Sequence, residues 1–389
     1  GYISSRERSG FFVEAVEPQK KARPVQPVTE SVPLPRQGAD LTGNGTGQFP
    51  FSVWIRLQRE VILDYGERLL LPVDSRGAPE TRTAIAKNLG DFRGMTVDPE
   101  NILIGAGTDF LYNLLLQLLG QDKVYGVEDP GYGKIRKIYA AGGVRCLPIP
   151  MDESGIRPDS LGGARVLHIS PSHHFPTGIV MPLYRRRALI DWARRTDGFI
   201  IEDDYDTEFR FRGHPLPPMQ TMDPERVIYM NTFSKTLFPS IRISYMVLPA
   251  GLMARFREKL GFYGCTVPSF EQYTLARFLD RGYFEKHINR MRKFYRARRN
   301  RVIAMLAGCP AAGKFTILEQ DAGLHFLLKV ETALDDNALT ALFAQSGLRV
   351  QPLGSFYTSP REDCRGMLVI NYSAVDEKAL EEGLGKLEI

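Results

Sequence analysis

The chain has 389 residues, 43% of them apolar and 24% charged, a length and balance that can bury a large core and that point to two lobes. Its formal net charge of +5 is spread over 50 basic and 45 acidic side chains, which supplies no concentrated basic patch and gives no indication of nucleic-acid binding by these residues alone. Cys146, Cys265, Cys309 and Cys364 form no CxxC pair, which argues against a zinc site or disulfide framework, and no apolar run approaches the ~20 residues of a membrane span, so the reading is a cytoplasmic protein with reduced, buried thiols.

The chain opens abruptly in Gly1-Tyr-Ile-Ser-Ser-Arg6, with no starting methionine, and reads as the trimmed end of something longer. From Pro18 to Pro35 inclusive there are five prolines among Gln, Lys, Val, Thr and Ser, a composition that favours extended chain and marks an interdomain linker. From Phe49 to Leu71 apolar residues recur at helical spacing (Val53, Trp54, Leu57, Val61, Ile62), so an ordered domain begins near Phe49. Short β-rich runs then alternate with helical stretches, which predicts a mostly parallel sheet with helices on both faces. The strand candidates are Ile102–Ile104, Val124–Val127, Arg145–Ile149, Val166–Ile169, Phe199–Glu202, Val227–Met230 and Ser244–Val247. Tyr283 to Leu306, rich in Arg and Lys, predicts one or two helices with a solvated basic face. Phe315 to Ile389 returns to strand, helix, strand, helix and reads as a smaller second lobe.

Four segments carry chemistry. In Asn231-Thr-Phe-Ser-Lys-Thr-Leu-Phe-Pro-Ser-Ile-Arg242, directly after a strand, Lys235 is placed where its pKa can fall far enough to form an imine with an aldehyde cofactor. Thr232, Ser234 and Arg242 around it can hold a dianionic phosphate by charge-assisted bonds. Ile200-Ile-Glu-Asp-Asp-Tyr205 is an apolar strand ending in acids, costly to bury unless they meet a cation. A protonated pyridine nitrogen is such a cation, assigned to Asp203 with Asp204 as the alternative, and Tyr205 is assigned to the ring hydroxyl. Gly105-Ala-Gly-Thr-Asp109 opens an apolar helix, so Gly107, Thr108 and Asp109 suit the same phosphate, although Asp109 reads equally as a plain helix-start acid. Val127-Glu-Asp-Pro-Gly-Tyr132, again at a strand end, offers Tyr132 to stack on the ring, or else forms a Pro-Gly turn with a partly buried tyrosine. Together these point to pyridoxal 5′-phosphate (PLP) held as a Schiff base on Lys235.

Glu128-Asp-Pro-Gly-Tyr132, Pro171-Ser-His-His-Phe-Pro-Thr-Gly178, Ile201-Glu-Asp-Asp-Tyr205 and Ser234-Lys-Thr-Leu237 together resemble the aminotransferase-like domain of MocR-type regulators of the GntR superfamily, from about Phe49 to Ile389. The resemblance implies a fold-type-I α/β protein: a three-layer α/β/α large domain over 85–296 and a smaller α+β domain over 297–389, completed by 49–84. It further implies that 1–17 is the remnant of a winged-helix wing, that 18–48 is the linker, and that DNA is read only by a winged-helix domain absent from this chain. A homodimer with the cofactor site at the subunit interface is implied too. Carried over by position, the Schiff-base lysine is Lys235, the pyridine partner Asp203, the ring-hydroxyl tyrosine Tyr205, the phosphate arginine Arg242 and the stacking aromatic Tyr132. The chain departs from aspartate-type aminotransferases at Phe175, where an asparagine contacts the ring hydroxyl and for which His173 offers compensation. It departs again at Val369, where an arginine clamps the substrate carboxylate. Lys134 falls where a relative has an effector-binding arginine, so Lys134 and Phe175 are the candidate effector contacts. The expected function is an effector-sensing, dimerising PLP domain that exchanges Lys235 for an amine or amino-acid effector; a working aminotransferase and a purely structural cofactor domain are the alternatives.

Overall fold

A computed structural model describes residues 3–13, 38–43, 45, 48–211 and 216–389. Of the expected linker 18–48, residues 18–37, 44, 46 and 47 lie outside the described residues, as do 14–17 of the expected wing remnant. The chain divides into two units, 1–37 and 38–389. In the first, Ile3–Arg6 and Gly10–Val13 pair as an exposed antiparallel hairpin.

The centre of the second unit is an eight-stranded sheet. Its order in space is Ile102–Gly105, Ser244–Val247, Val227–Thr232, Phe199–Asp203, Val166–Ile169, Val124–Asp129, Arg145–Asp152 and Gly155–Ile156. All run parallel except Ser244–Val247 and the short edge strand Gly155–Ile156, which are antiparallel to their neighbours. The inner strands read as unbroken apolar runs because helices cover both faces: every residue of Val227–Thr232 and of Val166–Ile169 is buried. All seven strand candidates are present, extended by zero to three residues.

The smaller lobe carries a four-stranded antiparallel sheet, ordered Phe315–Leu318, His325–Val330, Met367–Asn371 and Gln351–Pro352. Its chain-start contribution differs from the expectation. The first helix, Phe51–Tyr65, packs Trp54 and Leu57 into the large-lobe core with Ile104, Tyr229 and Phe278. The segment that completes the small lobe is instead Ala39–Asp40, parallel to Leu348–Arg349, with Ala39 and Leu41 buried in that lobe's core. The reason is steric: a helix with an apolar stripe must cover a sheet face, while residues 39–41 alternate as a strand does.

Tyr283–Gly308 is one continuous helix that serves both lobes. Phe284 and Ile288 sit in the large-lobe core and Met291, Tyr295, Val302 and Leu306 in the small-lobe core, so packing changes hands near residue 290, inside the helix and ahead of the expected boundary at 296. Its basic face is not simply solvated. Arg292 donates to the Glu208 carbonyl (2.5 Å), Arg296 to that of Phe211 (2.8 Å), Arg298 to that of Ser373 (2.5 Å) and the buried Arg299 to that of Gln320 (2.6 Å), tying loops of both lobes to the helix. All four cysteines are free; Cys364 is buried and the others are half-buried. Among the described residues no helix is long and apolar enough to cross a membrane.

Candidate cofactor and effector site

In a mostly parallel sheet, loops gather at the carboxyl ends of the strands and form a crevice there. Lys235 follows Val227–Thr232, Asp203 ends Phe199–Asp203, Ser170 follows Val166–Ile169, Tyr132 follows Val124–Asp129, and Gly107 follows Ile102–Gly105. A cavity of about 240 Å³ opens over these ends, closed on its far side by His325, Gln351, Val369 and Asn371 of the small lobe. Of the candidate residues, Lys235, Asp203, Tyr205, Tyr132, Thr108, Asp109, Thr232, Ser234, Arg242, Lys134 and Phe175 line it.

Strand alternation decides between the two central acids. Asp204 turns away from the cavity, where it is buried against Arg93 (2.7 Å) and accepts from the Tyr229 hydroxyl (2.7 Å) and from Thr207. Asp203 turns toward the cavity. Its Oδ2 accepts from Tyr112 (2.6 Å) and lies 3.4 Å from His168 Nε2, and His168 Nδ1 meets the Tyr139 hydroxyl at 2.6 Å. Asp203 Oδ1 is buried with no partner. A buried carboxylate oxygen without a donor is costly, and a ring N–H placed in the cavity would supply the donor that oxygen lacks. Burial and the neighbouring Asp203 push Tyr112 well above the usual phenol range, so it stays a donor.

Lys235 stands on the short helix Phe233–Thr236, whose N-cap is Thr232: its hydroxyl accepts from the Ser234 amide (3.1 Å) and from the Ser244 hydroxyl (2.8 Å). The Thr232 hydroxyl is thus spent on the turn that presents the lysine. Burial holds the Lys235 ammonium below its ordinary range against the opposing pull of Asp206 and Asp203, which favours a nucleophilic neutral amine.

The end of the cavity that would fit a phosphate is built by backbone first. Thr108, Asp109 and Phe110 begin the helix Thr108–Leu119, and their amides have no acceptor within it. Ser234 Oγ is buried without a partner. The Arg242 guanidinium lies across Gly107, where an added Cβ would fall 2.0 Å from Nη2. Asp109 is an acid among cations: its Oδ2 is 2.6 Å from Lys134 Nζ and 3.4 Å from Arg242 Nη2. Its side chain therefore orients two cations, and only its amide is free to meet a phosphate.

His173 does not line the cavity. Its Nδ1 lies 3.0 Å from both Asp206 oxygens and 3.4 Å from the Tyr205 hydroxyl, and its ring occupies the space left by the missing side chain of Gly323. It acts on Tyr205 from behind. Phe175 does reach the cavity, edge-on to Tyr132 (6.0 Å between centroids), His325 (5.1 Å) and Phe356 (5.2 Å).

The family model described as aminotransferase class I and II matches residues 39–387. The chain belongs to that family. Among curated proteins it is 36% identical to the HTH-type transcriptional regulator YdeL of Bacillus subtilis, covering 100% of this chain and 85% of that protein. It is 34% identical to the probable rhizopine catabolism regulatory protein MocR of Rhizobium meliloti, over 87% of this chain and 69% of that one. These relatives put the chain in the MocR-type branch of HTH-type regulators that carry an aminotransferase-like domain. Among solved structures, kynurenine aminotransferase of Pyrococcus horikoshii superposes with a TM-score of 0.77 at 26% identity, covering 90% of each chain. The fold is that of the fold-type-I aminotransferases.

Several site residues of this aminotransferase-family chain escaped sequence reasoning. Tyr112 lies one helical turn past Thr108, His168 is the lone polar residue of an apolar strand, and His325 begins a mostly apolar one, signals that go unread without a partner in view. Glu128 lines the cavity and accepts from the Ser170 amide (3.1 Å); burial, reinforced by Asp203, pushes its carboxyl up to about 8. Burial takes His174 down to about 3, so its 3.4 Å approach to Glu128 joins two uncharged groups near neutral pH.

Proposed function

We propose that this chain is the effector-sensing and dimerising domain of a MocR-type transcription regulator, acting in the cytoplasm, and that its ligand is PLP held on Lys235. The observation that carries the cofactor is the buried, unpartnered Asp203 Oδ1, accompanied by a desolvated Lys235 and an unpartnered Ser234 Oγ among free helix amides. When bound, PLP would supply an electrophilic carbon for imine chemistry between Lys235 and an incoming amine. Asp203, steadied by Tyr112 and by His168 with Tyr139 behind it, holds the proton on the ring nitrogen. Tyr205, its proton retained by burial, donates to the ring hydroxyl. Arg242, Ser234 and the amides of Thr108 and Asp109 would hold the phosphate. Tyr132 would cover the ring and Phe175 would close the effector side.

The HTH-type relatives support sensing as the purpose of this chemistry, with DNA contacted by a helix-turn-helix domain of the full-length regulator and not by these residues. The exposed hairpin 3–13 suits the wing of such a domain. The intact set of Lys235, Asp203, Tyr205 and Arg242 favours a second reading, transaminase turnover. Visible spectra recorded while amines and amino acids are added, with keto acid assayed in parallel, separate the two. A shifted band without product supports the sensor, and accumulating keto acid makes the domain a working aminotransferase.

A further inference from the structure

We infer that the effector is a primary amine with an uncharged, apolar or aromatic body, and not a carboxylate-bearing amino acid; this rests on the sensing role proposed above. The observation is the distribution of charge around the cavity. Beyond the ring site the wall runs from Tyr132 through Phe175 to Phe356 and Val369, and Val369 packs with Phe356 and Phe175 in one apolar cluster. The polar groups on that side are uncharged: Gln351, Asn371 and His325, whose ring burial holds well below the usual imidazole range.

Among the described residues of this chain, the lining cations other than Lys235 are Lys134 and Arg242, and both stand at the phosphate end. They converge on one Asp109 oxygen, at 2.6 and 3.4 Å. With a phosphate dianion between them, two positive charges would face three negative ones, which leaves none of the described lining cations over for an effector carboxylate. The remaining acids of the lining are Asp203 and Asp206, which attract an ammonium and repel a carboxylate, and Glu128, which burial keeps protonated and which offers a carboxylate no positive charge. A carboxylate against the Phe356–Val369 wall would be desolvated with no guanidinium to pair it, the arrangement that buried charges tolerate least.

The test uses the PLP-loaded protein and two matched pairs of probes, 2-phenylethylamine with L-phenylalanine and n-butylamine with 4-aminobutyrate, read by the visible band. Within each pair the member without a carboxylate should half-saturate at a concentration at least about tenfold lower, the equivalent of one unmet charge contact. Equal or tighter response to the carboxylate-bearing member of either pair overturns the inference and leaves the sensing role standing. A band that answers none of the four and persists in Lys235→Ala defeats the sensing role, and the inference falls with it. Val369→Arg, or Gln351→Arg on the adjacent strand if the first does not fold, should tighten L-phenylalanine by about tenfold. An unchanged response in a folded variant overturns the placement of the effector's body against this wall.

Discussion

Gly107→Ala tests the phosphate cradle at its most constrained atom. Gly107 has φ 89° and ψ 161°, a backbone region essentially reserved for glycine, so alanine there should cost about 1–3 kcal/mol of folding stability. The new methyl would also lie 2.0 Å from Arg242 Nη2 and 2.4 Å from Cζ, so the guanidinium must leave its bed. A lost charge-assisted hydrogen bond is worth about 1.5–3 kcal/mol, which converts to PLP affinity weaker by about 10- to 150-fold. Urea unfolding of the PLP-free variant measures the first effect and absorbance titration with PLP the second. Gly251→Ala is the control: it lies in the helix Ala250–Lys259 with nothing within 4 Å of its added Cβ, and should hold or gain up to about 1 kcal/mol. A Gly107→Ala protein that loses stability but binds PLP like the wild type would refute the role given to Arg242.

Three further outcomes are expected. Lys235→Ala should lose the visible band of the PLP-loaded protein, and a full band in that variant would show that another amine holds the cofactor. Asp203→Asn should keep the fold yet weaken PLP binding at least about tenfold. Asp204→Asn should instead cost about 3–5 kcal/mol in urea unfolding, because it strands the buried Arg93; reversed phenotypes would exchange the two roles. Burial raises Glu128 to about 8, and Glu202 and Glu208 to about 7, from an ordinary 4.5. These carboxyls hold protons that the unfolded chain has released, but below about pH 6.5 the buried His174, His287 and His325, whose affinity for a proton is lowered, act in the opposite sense. Stability should therefore fall as pH rises from about 6.5 to 8, which is the window to measure. Glu128→Gln should flatten the decline in the PLP-free protein, whereas a wild-type curve that rises over the window contradicts these shifts.

The pattern of acids on Phe199–Asp203 was readable in advance in one respect: a strand sends neighbours to opposite faces, so Asp203 and Asp204 could not share a role. Which face carried the cavity could not be read, because it depends on Tyr112, 91 residues away, and on Arg93, whose partner is identified only when the sheet is assembled. The sheet's strands were visible because buried parallel strands need continuous apolar runs, a local requirement. Lobe membership was not: the first helix and residues 39–41 join the cores that offer matching surfaces, irrespective of their order in the chain. The basic helix looked solvated because carbonyl acceptors such as those of Glu208 and Ser373 leave no mark on residue type. By itself, then, the amino-acid order determined the strands, the lysine, the acid run and the glycine turn, all features governed by near neighbours. Tertiary structure alone decided Asp203's supports, the pairing of Asp109 with Lys134 and Arg242, and the uncharged effector wall, since each is a balance of charge and burial among residues distant in sequence.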